Sequence, residues 1–194
     1  RVTDVLTAAQ FSLQMQYDDR GDIQFKSDVG TYTYGPAGQD PNALLQAGTD
    51  TFSYDGRGNV TQRGAATLSY DSKDALLEIS SPTGTVQFEY GPFGEKTVRR
   101  YLSTGETTRF FDAFFEQRES GGVFLSNSDR YRVFANGEVV AEVNRTPAGT
   151  GTFVGETLYV HRDIHRTARV VTDDAGDVSE VNSFDVWGKK RDPN

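Results

Sequence analysis

Residues 54–60 read Tyr-Asp-Gly-Arg-Gly-Asn-Val, and they predict a strand, a tight turn and a second strand. Aromatic and polar residues alternate over 51–54, which is the period-two pattern of a half-buried strand. The carboxylate of Asp55 can accept hydrogen bonds from backbone N–H groups in the turn that follows. Gly58 can adopt a positive φ without steric cost, so the chain can reverse there. Val60 then begins a second apolar face.

The same frame recurs along the chain: an aromatic residue, an aspartate, two further residues and a glycine. Repetition of a unit outranks other sequence signals, because it determines the class of fold. The spacing between copies is irregular, which predicts a series of related hairpins and not a regular solenoid. Asp74 takes the glycine place in one copy, and Gly91 takes the aspartate place in another. The residues that we assign to this structural repeat are Tyr17, Asp18, Gly21, Tyr54, Asp55, Gly58, Tyr70, Asp71, Tyr90, Gly94, Asp173, Gly176, Phe184, Asp185 and Gly188.

Composition favours strands and turns. The chain has 194 residues, with 20 glycines, 13 phenylalanines and 9 tyrosines but one methionine and one tryptophan. The net charge of −8 and the lack of long basic runs argue against a nucleic-acid partner. No cysteine is present, and no apolar run approaches the roughly 20 residues of a membrane span. We treat 1–194 as a single all-β domain and expect it to be a piece of a longer polypeptide.

Most of the chain is predicted as consecutive antiparallel strands, with the Asn136-Gly137 pair as the strongest short hairpin signal. Glycine and proline predict a loop over 35–50, in which residues 43–45 would pack back on the sheet as an apolar plug. A second polar loop is predicted over 144–151, and a helical turn is conceivable over 4–10. The predicted strands are 11–17, those around Ile23 and Tyr32, 51–54, 59–63, 66–70, 75–80, 85–90, 95–101, those flanking residues 135–137, 156–162, 167–172, 178–184 and 188–191.

These turn units resemble the YD repeats of RHS-repeat proteins. Residues 41–44, Pro-Asn-Ala-Leu, resemble the plug that precedes a repeat in that family, and residues 134–141 resemble its recurrent hairpin ending in Val-Ala. Residues 159–188 resemble the segment that closes the repeat array. There the family reads His-x-Asp-His-Leu-Gly-Ser, whereas residues 161–167 read His-Arg-Asp-Ile-His-Arg-Thr. The tight turn at that place is therefore left without its usual glycine.

The resemblance implies a structural role. RHS and YD repeats of bacterial toxins and of teneurins form a β-sheet strip that spirals into a hollow cocoon, and in polymorphic toxins the cocoon encloses a C-terminal toxic domain. By resemblance, the partners of this chain are the remaining shell strands and the toxin domain of the same polypeptide, and the protein is secreted or injected by a bacterial secretion system. The strand edges at both ends would also allow the isolated chain to associate with itself.

A possible metal site is formed by His161, Asp163 and His165, which would point to one face if they lay on a strand. Cysteines and further histidines that could complete a tetrahedral site are absent from the sequence. The His-x-Asp pair also stands where the RHS family has it without metal. We therefore expect a hydrogen-bonded structural segment and no bound metal.

The sequence thus predicts an antiparallel all-β segment of a shell, which is not an enzyme and has no cofactor. Two alternatives stay open. A solvent-exposed aromatic groove would favour an adhesion module that binds a glycan or a surface protein. A bound metal ion would favour a hydrolase that uses the three residues of the possible metal site.

Overall fold

The computed structural model describes residues 4–6, 12–35, 41–185 and 188–191. These residues form strands, turns and connecting segments without a helix, which confirms the predicted all-β class. The described part of the chain accordingly offers no helix with the length and hydrophobicity needed to cross a bilayer. The chain divides into two compact units, residues 1–85 and 86–194.

In the first unit each strand pairs antiparallel with the next one along the chain, as a meander. Its strands are β1 (Asp4–Leu6), β2 (Ser12–Tyr17), β3 (Ile23–Lys26), β4 (Gly30–Tyr34), β5 (Leu44–Ala47), β6 (Asp50–Tyr54), β7 (Val60–Arg63), β8 (Ala66–Tyr70) and β9 (Leu76–Ser81).

The second unit is also an antiparallel meander, followed by a separate two-stranded ladder. Its strands are β10 (Gly84–Tyr90), β11 (Lys96–Tyr101), β12 (Glu106–Phe110), β13 (Phe115–Ser120), β14 (Val123–Ala135), β15 (Glu138–Gly149), β16 (Thr152–Arg162), β17 (Ala168–Thr172), β18 (Val178–Val181), β19 (Ser183–Phe184) and β20 (Lys190–Arg191). The predicted Asn136-Gly137 turn joins β14 to β15, and both of its residues have positive φ, 51° and 78°. That prediction is confirmed.

Tyrosine hydroxyls tie the hairpins of the first unit together. The hydroxyl of Tyr54, the last residue of β6, donates to the carbonyl of Leu44 at 2.8 Å, across the β5–β6 hairpin. Tyr34 and Tyr70 make the same bond to the first residue of the preceding strand, at 3.0 Å each. Burial raises the pKa of these last two phenols, so they stay protonated donors. Each bond contributes about 1 kcal/mol and fixes the register of its hairpin.

The fully buried core is small. Among the described residues the buried apolar side chains are Leu13, Met15, Val98, Ala141 and Val171. More polar than apolar residues are buried among those described, including Thr108, Ser128 and Asn144. Most strand residues are half-buried instead. The fold therefore depends on backbone ladders and turns, and on apolar contacts spread along both units.

Two predicted loops are wrong in part. Residues 44–47 form β5, which pairs with β4 and β6, so residues 44 and 45 of the predicted plug lie in a strand, and Leu45 is 41% exposed. The glycines and prolines that suggested a loop lie mainly at 35–41, of which 36–40 fall outside the described residues. Residues 144–149 belong to β15, because a bulge between Pro147 and Gly149 lets the ladder continue past a residue that has no N–H.

The N-terminal segment differs from its prediction as well. Asp4–Leu6 is a strand paired with β2 and not a helical turn, because its backbone groups find partners in that ladder. Residues 7–11, Val186 and Trp187, which were assigned to predicted elements, lie outside the described part of the structure.

Candidate functional site

The turn after Tyr54 is closed by the backbone and the carboxylate of Asp55 together. The N–H of Asp55 donates to the carbonyl of Asn59 at 2.9 Å, and the N–H of Gly58 donates to the carbonyl of Asp55 at 3.1 Å. The Oδ1 atom of Asp55 accepts the N–H groups of Arg57 and Asn59, both at 2.9 Å. Four hydrogen bonds within five residues define the turn by local contacts alone, and we refer to this arrangement as the carboxylate turn.

The other predicted repeats have the same geometry. Asp18, Asp71 and Asp173 each make all four bonds, and Gly21, Asp74 and Gly176 hold the positive-φ place. Asp185 makes three of them with described residues, with Gly188 at φ 82°. The next strand begins five residues after the aspartate position in each copy. The assigned aromatic residues, Tyr17, Tyr54, Tyr70, Tyr90 and Phe184, are each the last residue of a strand.

Sequence reasoning missed one copy, at Asp163. The Oδ1 atom of Asp163 accepts the N–H groups of His165 at 2.9 Å and Thr167 at 3.0 Å. The backbone bonds of the carboxylate turn are also present, and Arg166 occupies the positive-φ place at 63°. Arg166 stands where the resemblance places the family's glycine. The aspartate was the available signal, but the missing glycine and aromatic residue concealed it.

This turn separates the three residues of the possible metal site. His161 lies in β16, and its Nε2 atom is 3.0 Å from the hydroxyl of Thr172. β16 ends at Arg162, so Asp163 and His165 belong to the turn. The expectation that all three share one strand face is therefore wrong. Across the described ranges, no group of three His, Cys, Asp or Glu side chains could hold a metal ion.

The copy with Gly91 in the aspartate place obtains its carboxylate from another residue. Gly91 makes both backbone bonds of the turn, and Gly94 has a φ of 84°. The side chain of Glu95 folds back, so that its Oε2 atom accepts the N–H of Phe93 at 3.0 Å. A Cβ atom on Gly91 would lie 2.1 Å from Oε1 of Glu95. The glycine therefore makes room for a carboxylate that arrives from the opposite end of the turn.

Neighbouring carboxylate turns of the first unit are linked by side chains. The side-chain Nδ2 atom of Asn59 donates to the carboxylate of Asp55 at 3.1 Å and to that of Asp74 at 2.8 Å. Arg57 donates to the carbonyl of Ser72 at 2.7 Å and to Asp74 at 3.2 Å. The turn between β6 and β7 is thereby joined to the turn between β8 and β9, and Asp74 acts both as a turn residue and as the acceptor of the link.

Hydrogen bonds lower the pKa of several of these carboxylates below the ordinary value of 3.8. For Asp55 the first cause is the side-chain amide of Asn59. For Asp18, Asp71 and Asp163 the first cause is the backbone N–H four residues later. Such groups stay ionised and bound to the backbone near neutral pH, which makes them poor proton donors or acceptors there.

The chain is similar to known proteins in sequence and in fold. Its residues 1–191 match the family described as Teneurin YD-shell. The structure of a TcdB2–TccC3 complex without its hypervariable C-terminal region aligns with a TM-score of 0.58 at 10% identity, covering 92% of this chain and 10% of that one. The Photorhabdus luminescens Tc holotoxin pore, with a mutation in TccC3, aligns with a TM-score of 0.59 at 10% identity and the same coverage. This chain thus spans about a tenth of the length of those structures. No curated protein matches it.

Replacing Gly58 by valine should lower the free energy of unfolding by about 1–3 kcal/mol, because a β-branched residue is forced to φ 91°. Gly56→Val is the matched control. It lies in the same turn without a left-handed φ, and an added Cβ meets no atom within 4 Å at either position. Urea unfolding compares the two variants. Equal destabilisation would show that the φ of Gly58 is not the cause.

Replacing Arg166 by glycine should raise the free energy of unfolding by up to about 1 kcal/mol. Glycine removes the strain of a left-handed φ from the folded chain, and this gain exceeds the stability that is lost because glycine adds conformational entropy to the unfolded chain. The ion pair of Arg166 with Glu138, 3.2 Å, adds little, since its side chain is 77% exposed. Arg166→Ala keeps the strain and removes the ion pair, so it should not stabilise. A gain in both variants would assign the effect to the side chain.

Stability should fall as the solution is acidified below about pH 4. The carboxylates of Asp18, Asp55, Asp71 and Asp163 have lower pKa values in the folded chain than the ordinary 3.8, so their contribution is complete above that value and is lost as the pH falls through the folded pKa. Asp55→Asn should make the fall in the urea midpoint between pH 5 and pH 2 shallower, as monitored by circular dichroism. Asp19→Asn is the control, since the described residues give its carboxylate no turn bond. Parallel pH profiles for wild type and Asp55→Asn would contradict the assignment.

Proposed function

This chain belongs to the Teneurin YD-shell family, and we propose that it is a structural, non-enzymatic segment of a shell that encloses a C-terminal toxin domain of the same polypeptide for delivery. The observation that carries the proposal is the carboxylate turn, which recurs in both units with one set of hydrogen bonds. A wall built from successive hairpins needs a reversal that each hairpin specifies for itself. A catalytic carboxylate has no reason to recur in this way.

The state of the turn carboxylates also favours a structural role. A general acid or base works best when its pKa is close to the working pH. The pKa values of Asp18, Asp55, Asp71 and Asp163 are shifted away from neutrality by hydrogen bonds that the fold itself uses. Protonating one of these carboxylates would weaken the hydrogen bonds of its turn. A role in proton transfer would therefore destabilise the fold. We propose on this basis that the chain is not an enzyme.

The exposure of the strands fits a wall with two accessible faces. Val98, Ala141 and Val171 are buried, whereas apolar strand residues such as Val133 and Val178 stay 46% and 62% exposed. Exposed apolar surface of this kind is ordinary for a segment that packs against further parts of the same polypeptide. The partners that we propose are those further shell strands and the toxin domain.

The toxin context rests on the similar structures, which are named as Tc toxin components. Their TM-scores of 0.58 and 0.59 support a similar fold at only 10% identity, and the toxin cargo of the present chain is our inference from that fold together with the family. We propose accordingly that the parent protein is secreted, or injected by a bacterial secretion system.

The adhesion alternative would need aromatic rings that are free to bind a glycan. Phe111, Phe115 and Tyr131 form a ladder in the second unit, with centroid distances of 5.0 and 4.6 Å. The guanidinium of Arg145 lies 5.4 Å from the Tyr131 ring centroid. The ring faces that would stack on a sugar are mostly used by one another and by this cation, so the ladder favours packing over glycan recognition.

Limited proteolysis of the complete polypeptide tests enclosure. The C-terminal domain should be cut much more slowly within the complete polypeptide than as an isolated domain. Gly58→Val should speed its cleavage by weakening the wall, whereas Gly56→Val should not. Equal cleavage of enclosed and isolated domains would rule out encapsulation. If the intact protein then bound to a glycan array, the adhesion alternative would become the favoured function.

A further inference from the structure

One face of the second unit carries several arginines and glutamates. Arg99, Thr108 and Arg118 stand opposite one another on β11, β12 and β13, and Tyr101 stands opposite Glu106 in the next row of the same face. On the other side of the first row, Glu116 of β13 stands opposite Arg130 of β14. Side chains in these positions share one face because residues two apart on a strand point the same way. We call this set the ionic face.

Most arginines of the ionic face have carboxylate partners. Arg118 pairs with Glu106 at 3.1 Å, and Arg130 pairs with Glu116 at 3.3 Å. Arg132, next on the same face, pairs with Glu116 at 2.7 Å. Glu116 itself is buried, so its charge needs these partners.

Arg99 differs from the others. Within the described part of the chain, its guanidinium has no carboxylate partner. It donates from Nη2 to the hydroxyl of Thr108 at 3.3 Å and lies 5.1 Å from the ring centroid of Tyr101 and 5.9 Å from that of Phe110. Thr108 is fully buried, and the rings of Tyr101 and Phe110 lie beside the guanidinium. Arg99 is therefore a cation that is held in position and whose charge is not compensated.

This cation borders an open groove of about 310 Å³. The groove is lined by Arg99, Arg118 and Arg130 together with Glu106, Glu116, Tyr101 and Thr104, which leaves one positive charge in excess. Among the residues that the structure describes, the buried Nε atoms of Arg99 and Arg130 make no hydrogen bond, and Nε of Arg130 lies 3.7 Å from a carboxylate oxygen of Glu142. A planar guanidinium is suited to bind an oxyanion through two parallel hydrogen bonds.

We propose that this groove binds a single oxyanion group through Arg99, with the carboxylate of an acidic polypeptide side chain as one source and a free phosphate as the other. The bound group supplies the negative charge that Arg99 lacks and an acceptor for its guanidinium. Arg118 and Arg130 keep their own glutamates and add favourable potential along the groove. This site is independent of enclosure, because it follows from the charges of one face of the second unit.

Binding is tested with a hexaglutamate peptide and with inorganic phosphate at low ionic strength, by calorimetry on the wild-type chain. Arg99→Gln should weaken the binding at least about tenfold, since hydrogen bonds to a charged group are lost. Arg100→Gln is the matched control, because it is the neighbouring residue on the opposite face and it already pairs with Glu89. Arg100→Gln should bind as the wild type does.

The outcomes separate the two sources. Binding of hexaglutamate that is lost in Arg99→Gln supports an acidic side chain as the ligand, and binding of phosphate alone that is lost in the same variant supports a free anion. The Nε–Hε resonance of Arg99 in the wild-type chain gives a readout that needs no variant, and it should shift on titration. Absence of binding for both probes, or equal binding by Arg99→Gln and wild type, would overturn the proposal.

Discussion

A single carboxylate oxygen that accepts two backbone N–H groups decides where the chain reverses at the turns of Asp18, Asp55, Asp71, Asp163 and Asp173. In the turn at Asp55 that oxygen binds the N–H groups of Arg57 and Asn59, and two backbone bonds complete the reversal. The next strand then begins at Val60, five residues after the aspartate. Because side chains alternate between faces along a strand, a fixed starting residue also fixes which side chains face which way. The pairing of β7 with its two neighbours and the bond of the Tyr70 hydroxyl to the carbonyl of Val60 depend on that starting point.

The sequence predicted this turn well where the repeat contains the expected residues. The repeat identified Asp55 and Gly58, and it placed Asp74 in the glycine position, where the structure has a φ of 64°. Arg166 was missed because a positive φ was read as a demand for glycine. Four local hydrogen bonds can hold another residue in that conformation when they outweigh its strain. The wrong loop prediction over 144–149 has a nonlocal cause. Pro147 pairs with β16, and the local sequence around Pro147 does not reveal that partner strand.

The turn requires a carboxylate at one place in space, and the sequence provides it in more than one way. At Gly91 the carboxylate comes from Glu95, and the absent side chain leaves the volume that it fills. This explains why a motif search based on aspartate finds only part of the repeat. It also bears on function, because an acid that can be replaced by another acid from the far end of the turn serves hydrogen bonding and not a proton transfer with strict geometry.

Local closure of each hairpin has a consequence for the faces of the sheets. A protein that depends on one large core must reserve its apolar residues for that core, whereas here each turn and tyrosine bond stabilises its own hairpin. The faces are then free to differ from strand to strand, and the second unit uses this freedom to carry paired charges and the unpaired Arg99. A charge without a counter-ion costs stability wherever solvent is restricted. A ligand that supplies the missing negative charge is therefore the simplest physical account of Arg99.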